Sequence, residues 1–169
     1  MTVWLSGDFH LNHSRIIKFC GRPFVNVEEM NDTIIRNFNA KVGMDDIVYF
    51  LGDFALCSSP DEITQFRSRL NGNINFIIGN HDIGKTLPSR TMSATVRIHG
   101  KDIFLCHDPV DANPNFEICL VAHIHEKWKI QKRLGNKFLV NVGVDVWGFS
   151  PITFDDVLKE IDLSLKSDS

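Results

Sequence analysis

Residues that can do acid–base or metal chemistry follow short apolar runs at five places in this 169-residue sequence. In the first, WLSGDFHLNH from Trp4 to His13, an apolar run leads directly to an aspartate and a histidine. The other four stretches read LGDF, GNHD, CHD and AHIH. They supply the side chains of Asp8, His10, Asp53, Asn80, His81, Asp82, His107, His123 and His125. One such pair alone would indicate an exposed, solvated pair, but five of the seven histidines lie in these stretches even without counting His13.

This combination of side chains favours divalent metal ions. Imidazole, carboxylate and amide oxygen ligands without a thiolate suit Mn, Fe, Zn or similar ions. They do not suit a closed structural zinc site, which is normally four-coordinate and often rich in cysteine. The donors also outnumber the needs of one ion. Two ions about 3.5–4 Å apart, bridged by one carboxylate, form the arrangement used in hydrolytic phosphate chemistry.

The elements that must position these side chains are short strands. The apolar pattern predicts strands at Val3–Ser6, Ile47–Leu51, Ile74–Ile78, Ala94–Ile98, Ile103–Cys106, Ile118–Ala122, Trp128–Gln131 and Phe138–Val142. Continuous apolar runs are typical of a sheet covered on both faces. The turn sequences HGKD and LGN indicate hairpins, so we expect the second half to be largely antiparallel. His99 lies in one of these turns and is interpreted as an ordinary surface histidine.

Helical periodicity predicts three helices, Val27–Phe38, Pro60–Leu70 and Phe154–Ile161. Strands and helices that alternate and then give way to hairpins predict two sheets packed face to face, with helices outside. The last helix is expected to cover the second sheet. Ligands of open α/β sheets bind beyond the carboxyl ends of strands, where these polar residues lie. Gly7, Gly52 and Gly79 precede several of them and allow close approach of the backbone.

Composition limits the remaining possibilities. The length fits one domain, predicted as 1–163 with a short polar tail at 164–169. A net charge of −3 argues against a generic nucleic-acid or anionic-membrane surface, and no apolar run approaches the length of a membrane span. The four cysteines form no C-x-x-C pair, which favours reduced thiols in a cytoplasmic protein.

The motifs GDFH, GDF, GNHD, CHD and HIH resemble, in order and character, those of the calcineurin-like metallophosphoesterases. They run from Asp8 to His125, about two-thirds of the chain. The resemblance implies an α/β fold, a four-layer α/β/β/α sandwich of two mixed sheets that holds a dinuclear metal centre. The family's last motif usually reads Gly-His-x-His, and here Ala122 replaces the glycine.

The resemblance also assigns roles by position. It places the first ion on Asp8, His10, Asp53 and His125. It places the second ion on Asp53, Asn80, His107 and His123, so that Asp53 bridges the two. His81 matches the family's catalytic histidine, and Asp82 matches the residue that orients it. Mn²⁺ is the expected metal, with Fe, Zn, Ni or Co as alternatives.

Two residues after the first motif are candidates for substrate binding, His13 and Arg22. The segment that contains them resembles the corresponding segment of small bacterial and phage members of the family. A guanidinium matches the geometry of a phosphate group, but Arg22 has an equally good interpretation as a surface arginine. The segment VDVWGF, Val144 to Phe149, is interpreted as core with an exposed tryptophan, and lining of the substrate cleft is the less favoured alternative.

The resemblance implies a metal-dependent phosphoesterase in which hydroxide attacks phosphorus and His81 protonates the leaving oxygen. Because the chain has no room for a cap domain, we expect an open site and a phosphodiester or small nucleotide substrate. The alternatives are a phosphomonoesterase, a protein phosphatase, or a non-catalytic interaction module that has lost its metal ligands. The expected assembly is a monomer or small homo-oligomer.

Overall fold

The computed structural model describes residues 1–82, 87, 90–135 and 137–167. The strands are β1 Val3–Ser6, β2 Ile47–Leu51, β3 Asn73–Ile77, β4 Arg90–Thr91, β5 Ser93–Ile98, β6 Lys101–Cys106, β7 Ile118–Val121, β8 Ile130–Arg133, β9 Lys137–Asn141 and β10 Ile152–Thr153. The helices are α1 Ser14–Phe19, α2 Val27–Asn39, α3 Pro60–Ser68 and α4 Phe154–Ser167. All eight predicted strands and three predicted helices are present, with bounds shifted by a few residues.

The first sheet has the order β10-β1-β2-β3-β4. Its three central strands are parallel and in close register, with Val3 opposite Ile47 and Ile47 opposite Asn73. The carboxyl ends of β1, β2 and β3 therefore lie side by side at one edge. Beyond β1, the backbone of Asp8 and His10 continues to donate hydrogen bonds to the segment after β2.

The second sheet has the order β5-β6-β7-β9-β8. Its two outer pairs, β5 with β6 and β8 with β9, are the predicted antiparallel hairpins. The expectation of a largely antiparallel second half is wrong for the centre, where β6, β7 and β9 are parallel. Because these three strands are parallel, their carboxyl ends meet at a common edge of the sheet. The candidate ligands that follow β6 and β7 therefore lie at the same edge.

Helices α1, α2 and α3 cover the outer face of the first sheet. The stripe of α2 that includes Ile34 and Phe38 packs in one cluster with Phe50 and Phe76 of the sheet. Phe9, which lies between two candidate ligands, is fully buried in this cluster and contacts the Phe38 ring edge-on at 5.8 Å. Phe9 therefore anchors the first motif in the core between its two candidate ligands.

The second core lies between the two sheets, and α4 contributes to it. Phe154, Val157 and Ile161 of α4 cluster with residues from the inner faces of both sheets. The last helix therefore packs against the first sheet as well as the second, which it was predicted to cover. It also runs to Ser167, into the segment predicted as a short polar tail. No glycine or proline interrupts this segment, and helix continues.

Three short elements have no sequence prediction, α1, β4 and β10, because each is too short to show periodicity. The fold classification is confirmed: two mixed sheets pack face to face, with helices against them. Across the described part of the chain, no helix is both long and apolar enough to cross a membrane.

Candidate metal centre

The two sheets deliver the predicted ligands to one place. The strand ends of the first sheet contribute Asp8, His10, Asp53 and Asn80, and those of the second contribute His107, His123 and His125. The described residues contain groups whose potential ligand atoms lie within 4.8 Å of one another, among them Asp8, His10 and His125, and also Asp53, His107 and His123. Each of these two groups consists of residues from one of the two ligand sets that the family resemblance implies.

Asp53 lies between the two sets. Its Oδ2 atom is 3.3 Å from His10 Nε2 and 3.5 Å from His107 Nε2. Its other oxygen, Oδ1, accepts a hydrogen bond of 2.8 Å from the backbone N–H of His81. One carboxylate oxygen is thus placed to face a ligand from each set, as a bridging group must be.

The second set converges on Asn80. Its Oδ1 atom is 3.1 Å from His107 Nε2 and 3.0 Å from His123 Nδ1. The two imidazole nitrogens are 3.2 Å apart. Donor atoms packed this closely around a common centre suit a cation.

Five of the candidate ligands have left-handed backbone conformations that are uncommon for residues other than glycine. The φ values are 55° for Asp8, 52° for His10, 57° for Asp53, 70° for His123 and 50° for His125. Such conformations cost about 1–3 kcal/mol each and concentrate at functional sites. Strands β1, β2 and β7 therefore end in strained turns that redirect polar side chains to the shared edge.

Glycines make room for these turns. A side chain at Gly52 would collide with His107 Nδ1, and one at Gly79 would collide with the Asp53 carboxylate and backbone. A Cβ atom at Gly143 would lie 2.6 Å from Asp8 Oδ2. These glycines are required because the ligand side chains occupy the space that a larger residue would need.

Each candidate histidine ligand also has a partner for its second ring nitrogen. The distances are 3.2 Å from His10 Nδ1 to His13 Nδ1, 2.7 Å from His107 Nδ1 to the Leu51 carbonyl, 3.7 Å from His123 Nε2 to Asp108 Oδ2, and 3.2 Å from His125 Nδ1 to Asp145 Oδ2. Metal-binding histidines almost always have such a partner, which fixes the tautomer and the ring orientation.

The pKa values of the two carboxylates at the centre, Asp8 and Asp53, are shifted in opposite directions. Burial raises the pKa of Asp8 to about 7. Burial also acts to raise the pKa of Asp53, but the nearby His10 and His107 imidazoles outweigh it and hold this pKa well below its usual range. Asp53 is therefore the more firmly ionised of the two, in keeping with its position between the ligand sets.

The imidazoles fall into two classes. Burial lowers the pKa of His10 to about 4 and also lowers that of His123. Burial would lower the pKa of His107 too, but its contacts with Asp53 and Asp8 raise it to about 9. The pKa of His125 is likewise raised to about 10, because its hydrogen bond with Asp145 outweighs burial.

Two buried atoms at the centre lack a hydrogen-bond partner among the described residues, Asp8 Oδ1 and His10 Nε2. A buried polar atom without a partner costs about 1–3 kcal/mol. Both atoms belong to the first ligand set, and a bound cation would satisfy both. The donor set and these unpartnered atoms therefore fit a metal centre.

Comparison with known proteins agrees with this geometry. The sequence model of calcineurin-like phosphoesterases matches residues 1–154. This chain belongs to the calcineurin-like phosphoesterase family. An uncharacterized protein of Methanocaldococcus jannaschii is 36% identical over 166 residues, which cover 95% of this chain and 91% of that protein. The gene 66 protein of Mycobacterium phage L5 is 24% identical over 183 aligned positions, covering 86% and 87% of the two chains.

A solved structure shares the fold. The crystal structure of a protein of unknown function from Aquifex aeolicus matches with a TM-score of 0.72 at 19% sequence identity. The match covers 93% of this chain and 97% of the other. At this identity the similarity establishes the architecture and no more.

His81, the histidine of the GNHD motif, lies at the solvent-exposed edge of the centre. Its ring centroid is 5.1 Å from that of His10 and 5.8 Å from that of His13.

The assigned role of Asp82 as orienting partner of His81 needs correction. The Asp82 carboxylate accepts hydrogen bonds from the backbone N–H groups of Asp53, Phe54 and Gly79. It therefore holds the Asp53 turn, and in the described structure no hydrogen bond joins it to the His81 ring.

Arg22 occupies neither of the positions considered from the sequence. It is only 4% exposed, so it is not a surface residue. Its guanidinium donates two hydrogen bonds to Asp145, one to each of the carbonyls of Asp8 and Phe9 and one to Met30 Sδ, which leaves it no group to offer a substrate phosphate. The substrate-binding interpretation is therefore corrected, because the side chain lies beneath the ligands. His13, by contrast, is half-buried beside His10 and His81.

Sequence reasoning missed two polar residues, Asn141 and Asp145, that hold the segment of His125 in place. Asn141 is fully buried at the end of β9, where its amide donates to the carbonyls of His125 and Trp128. Asp145 follows four residues later and contacts His125. The signal was available, since Asn141 ends an apolar strand just as the five recognised motifs do.

The alanine that replaces the usual glycine of the last calcineurin-like motif fits this backbone. Ala122 is fully buried, and its N–H donates to the His107 carbonyl at 2.9 Å. A Cβ atom built on Gly7 would lie 3.1 Å from the Ala122 methyl group. The methyl group therefore packs where Gly7 leaves space, and the turn into His123 is kept.

Proposed function

We propose that this protein is a metal-dependent phosphoesterase that uses two divalent cations to hydrolyse a phosphodiester or a small nucleotide phosphate ester. The position of Asp53 carries the proposal, because one carboxylate oxygen lies 3.3 Å from a nitrogen of the first ligand set and 3.5 Å from one of the second. Mn²⁺ is the proposed metal, since nitrogen and oxygen ligands without thiolate suit it.

Two bound cations would provide Lewis acidity and a nucleophile derived from water at neutral pH. Asp8, His10 and His125 would hold one, Asn80, His107 and His123 the other, and Asp53 both. The chain's own contribution is rigid placement: each ligand follows a strand of a packed sheet, and each imidazole has a partner for its second nitrogen. Such placement lets a site act on a substrate without reorganising.

His81 is the proposed general acid. It is exposed at the lip of the centre, next to Asn80, and its backbone N–H is held by Asp53. From there its imidazole can reach a leaving oxygen on the solvent side. His13 lies beside it and is proposed to contact the bound ester. Proton transfer of this kind contributes about 10²–10⁴-fold to a rate.

The charge of the neighbouring cleft favours a diester over a monoester. A cleft of about 200 Å³ beside the second ligand set is lined by Asn80, His107, Asp108 and Asp111, with Met92 and the two residues that follow β3. Among the described residues that line it, none is a lysine or an arginine. Two aspartates with no lysine or arginine among the same described lining residues disfavour the second negative charge of a monoester, and a diester lacks that charge.

The test is a hydrolysis screen of the purified protein, stripped of metal and reloaded with Mn²⁺. We expect metal-dependent turnover of bis(p-nitrophenyl) phosphate or a cyclic nucleotide, with p-nitrophenyl phosphate and a phosphopeptide turned over more slowly. Preference for either of the last two would support the monoesterase or protein phosphatase alternative. Protein that binds no Mn²⁺ and hydrolyses none of these esters would support the non-catalytic alternative.

A further inference from the structure

Arg22 connects two segments that carry ligands of the first set. Its Nη2 atom donates to the Asp8 carbonyl at 2.7 Å, and Nη1 donates to the Phe9 carbonyl at 2.9 Å. On its other side, Nε and Nη2 donate to the two carboxylate oxygens of Asp145 at 2.8 and 2.9 Å. A buried guanidinium in a bidentate pair is geometrically rigid. It ties the strained turn after β1 to the segment after β9.

Asp145 extends this connection to His125. Its Oδ2 atom, which accepts from Arg22, lies 3.2 Å from His125 Nδ1. A carboxylate can only accept, so a neutral His125 donates its Nδ1 proton and keeps the lone pair on Nε2. That lone pair is the one available to a metal. The carboxylate side chain of Asp145 is 3% exposed, so water does not compete for these bonds.

The second ligand set does not share this support. His107 is held by the Leu51 carbonyl, and His123 lies next to Asp108. Neither partner contacts Arg22 or Asp145 in the described structure. Loss of the Arg22–Asp145 pair should therefore disturb one half of the centre and spare the other.

We propose that Arg22 and Asp145 are positioning residues for the first ion alone, through Asp8, His10 and His125. The proposal rests on the two-metal centre of the proposed function, but it concerns metal affinity and not turnover. Cys20 also lies near His125 and Asp145. A separate metal site at these three residues is disfavoured, because the Arg22 cation already neutralises the Asp145 carboxylate.

The test is Mn²⁺ binding by isothermal titration calorimetry in two backgrounds. His123→Ala removes a ligand of the second set and leaves the first ion to be measured, whereas His125→Ala leaves the second. Asp145→Asn keeps the shape of the side chain but removes its charge and, in either orientation of the amide, places an N–H donor against an N–H group of Arg22. In the His123→Ala background we expect it to weaken binding about 10–100-fold, the usual effect of losing such a partner.

In the His125→Ala background the same substitution should change affinity less than about threefold, which sets this role apart from a general structural one. Equal weakening in both backgrounds, or none in either, would overturn the proposal. Arg67→Met is the matched control, because Arg67 also donates to two carbonyls, those of Leu70 and Gly72, away from the centre. It should leave both affinities unchanged.

Arg22→Met supplies a second arm and should reproduce the loss at the first ion. Since that variant leaves Asp145 buried without its cation, Asp145→Asn decides the outcome if Arg22→Met does not fold. A wild-type protein that binds two ions but hydrolyses no ester would defeat the proposed function and leave this test intact. Unchanged affinities in an active enzyme would defeat the positioning role alone.

Discussion

At the scale of single residues, Asp53 joins more of the centre than any other side chain. It faces His10 and His107 with one oxygen and holds the backbone of His81 with the other. Its own backbone N–H is held by Asp82 at 2.7 Å. The His10 and His107 imidazoles stabilise the ionised carboxylate, which is why its pKa is low despite burial.

Asp53→Asn should therefore reduce the affinity for both ions and abolish most turnover, because the amide carries no charge and offers one oxygen in place of two. We expect fewer than two equivalents of Mn²⁺ to remain after dialysis, measured by elemental analysis. Asp46→Asn is the control, since Asp46 also holds backbone N–H groups, of Thr2 and Gly43, but lies away from the centre. An Asp53→Asn protein with two tightly bound ions would exclude a bridging role.

His81→Asn should retain both metals and lose activity in proportion to the need for an acid. On an alkyl phosphodiester, whose leaving group requires protonation, we expect a loss of about 10²–10⁴-fold in kcat. On a nitrophenyl diester the loss should be much smaller. His99→Asn, at an exposed turn, is the control and should behave as wild type. Equal losses on both esters would mean that His81 acts through charge or position.

At the scale of elements, the sequence predicted the parts of the centre that follow from local pattern. Apolar runs located the strands, and the polar residues after them identified the ligand turns. The supporting contacts could not be predicted in this way. Arg22 and Asp145 are 123 residues apart, and only the packing of the β1 turn against the segment after β9 brings them together. Likewise, nothing local distinguishes the parallel order of β6, β7 and β9 from a meander.

The turn after β3 offers a steric test of how closely elements approach at the centre. Gly79→Ala introduces a methyl group that collides with the Asp53 carboxylate, although Gly79 has no positive φ to strain. We expect it to destabilise the metal-free protein by about 1–3 kcal/mol in urea unfolding and to weaken Mn²⁺ binding. Gly43→Ala, where the methyl group meets only Asp46 Oδ2 at 3.4 Å, is the control. Matching results for the two variants would show that the Asp53 turn is not tightly packed.

At the scale of the whole molecule, the centre lies where the two sheets meet. The first sheet supplies four of the candidate ligands and the second supplies three, so bound cations would link the sheets beyond the contacts of the inter-sheet core. A ligand that binds only the folded state stabilises it by about 2.7 kcal/mol at 100 times its Kd. Mn²⁺ should therefore raise the urea midpoint of the wild-type protein.

The size of this stabilisation should depend on pH in a direction fixed by the imidazoles. His107 and His125, with pKa values raised to about 9 and about 10, carry protons at pH 7 in the metal-free chain. His10, with a pKa lowered to about 4, is already neutral. A cation must displace the protons of the first two, and each displaced proton weakens binding about tenfold per pH unit of acidification. Below about pH 7 the Asp8 carboxyl adds a third proton.

The stabilisation by a fixed concentration of Mn²⁺ should consequently shrink from pH 8 to pH 6, and most steeply below pH 7. Paired urea unfolding curves with Mn²⁺ and with EDTA measure it at each pH, and the EDTA curves separate metal binding from the pH response of the fold itself. Asp53→Asn should show little difference between the two curves at any pH. A wild-type difference that is constant between pH 6 and 8 would mean that the histidines bind metal without releasing protons, and the charge states assigned to His107 and His125 would then be wrong.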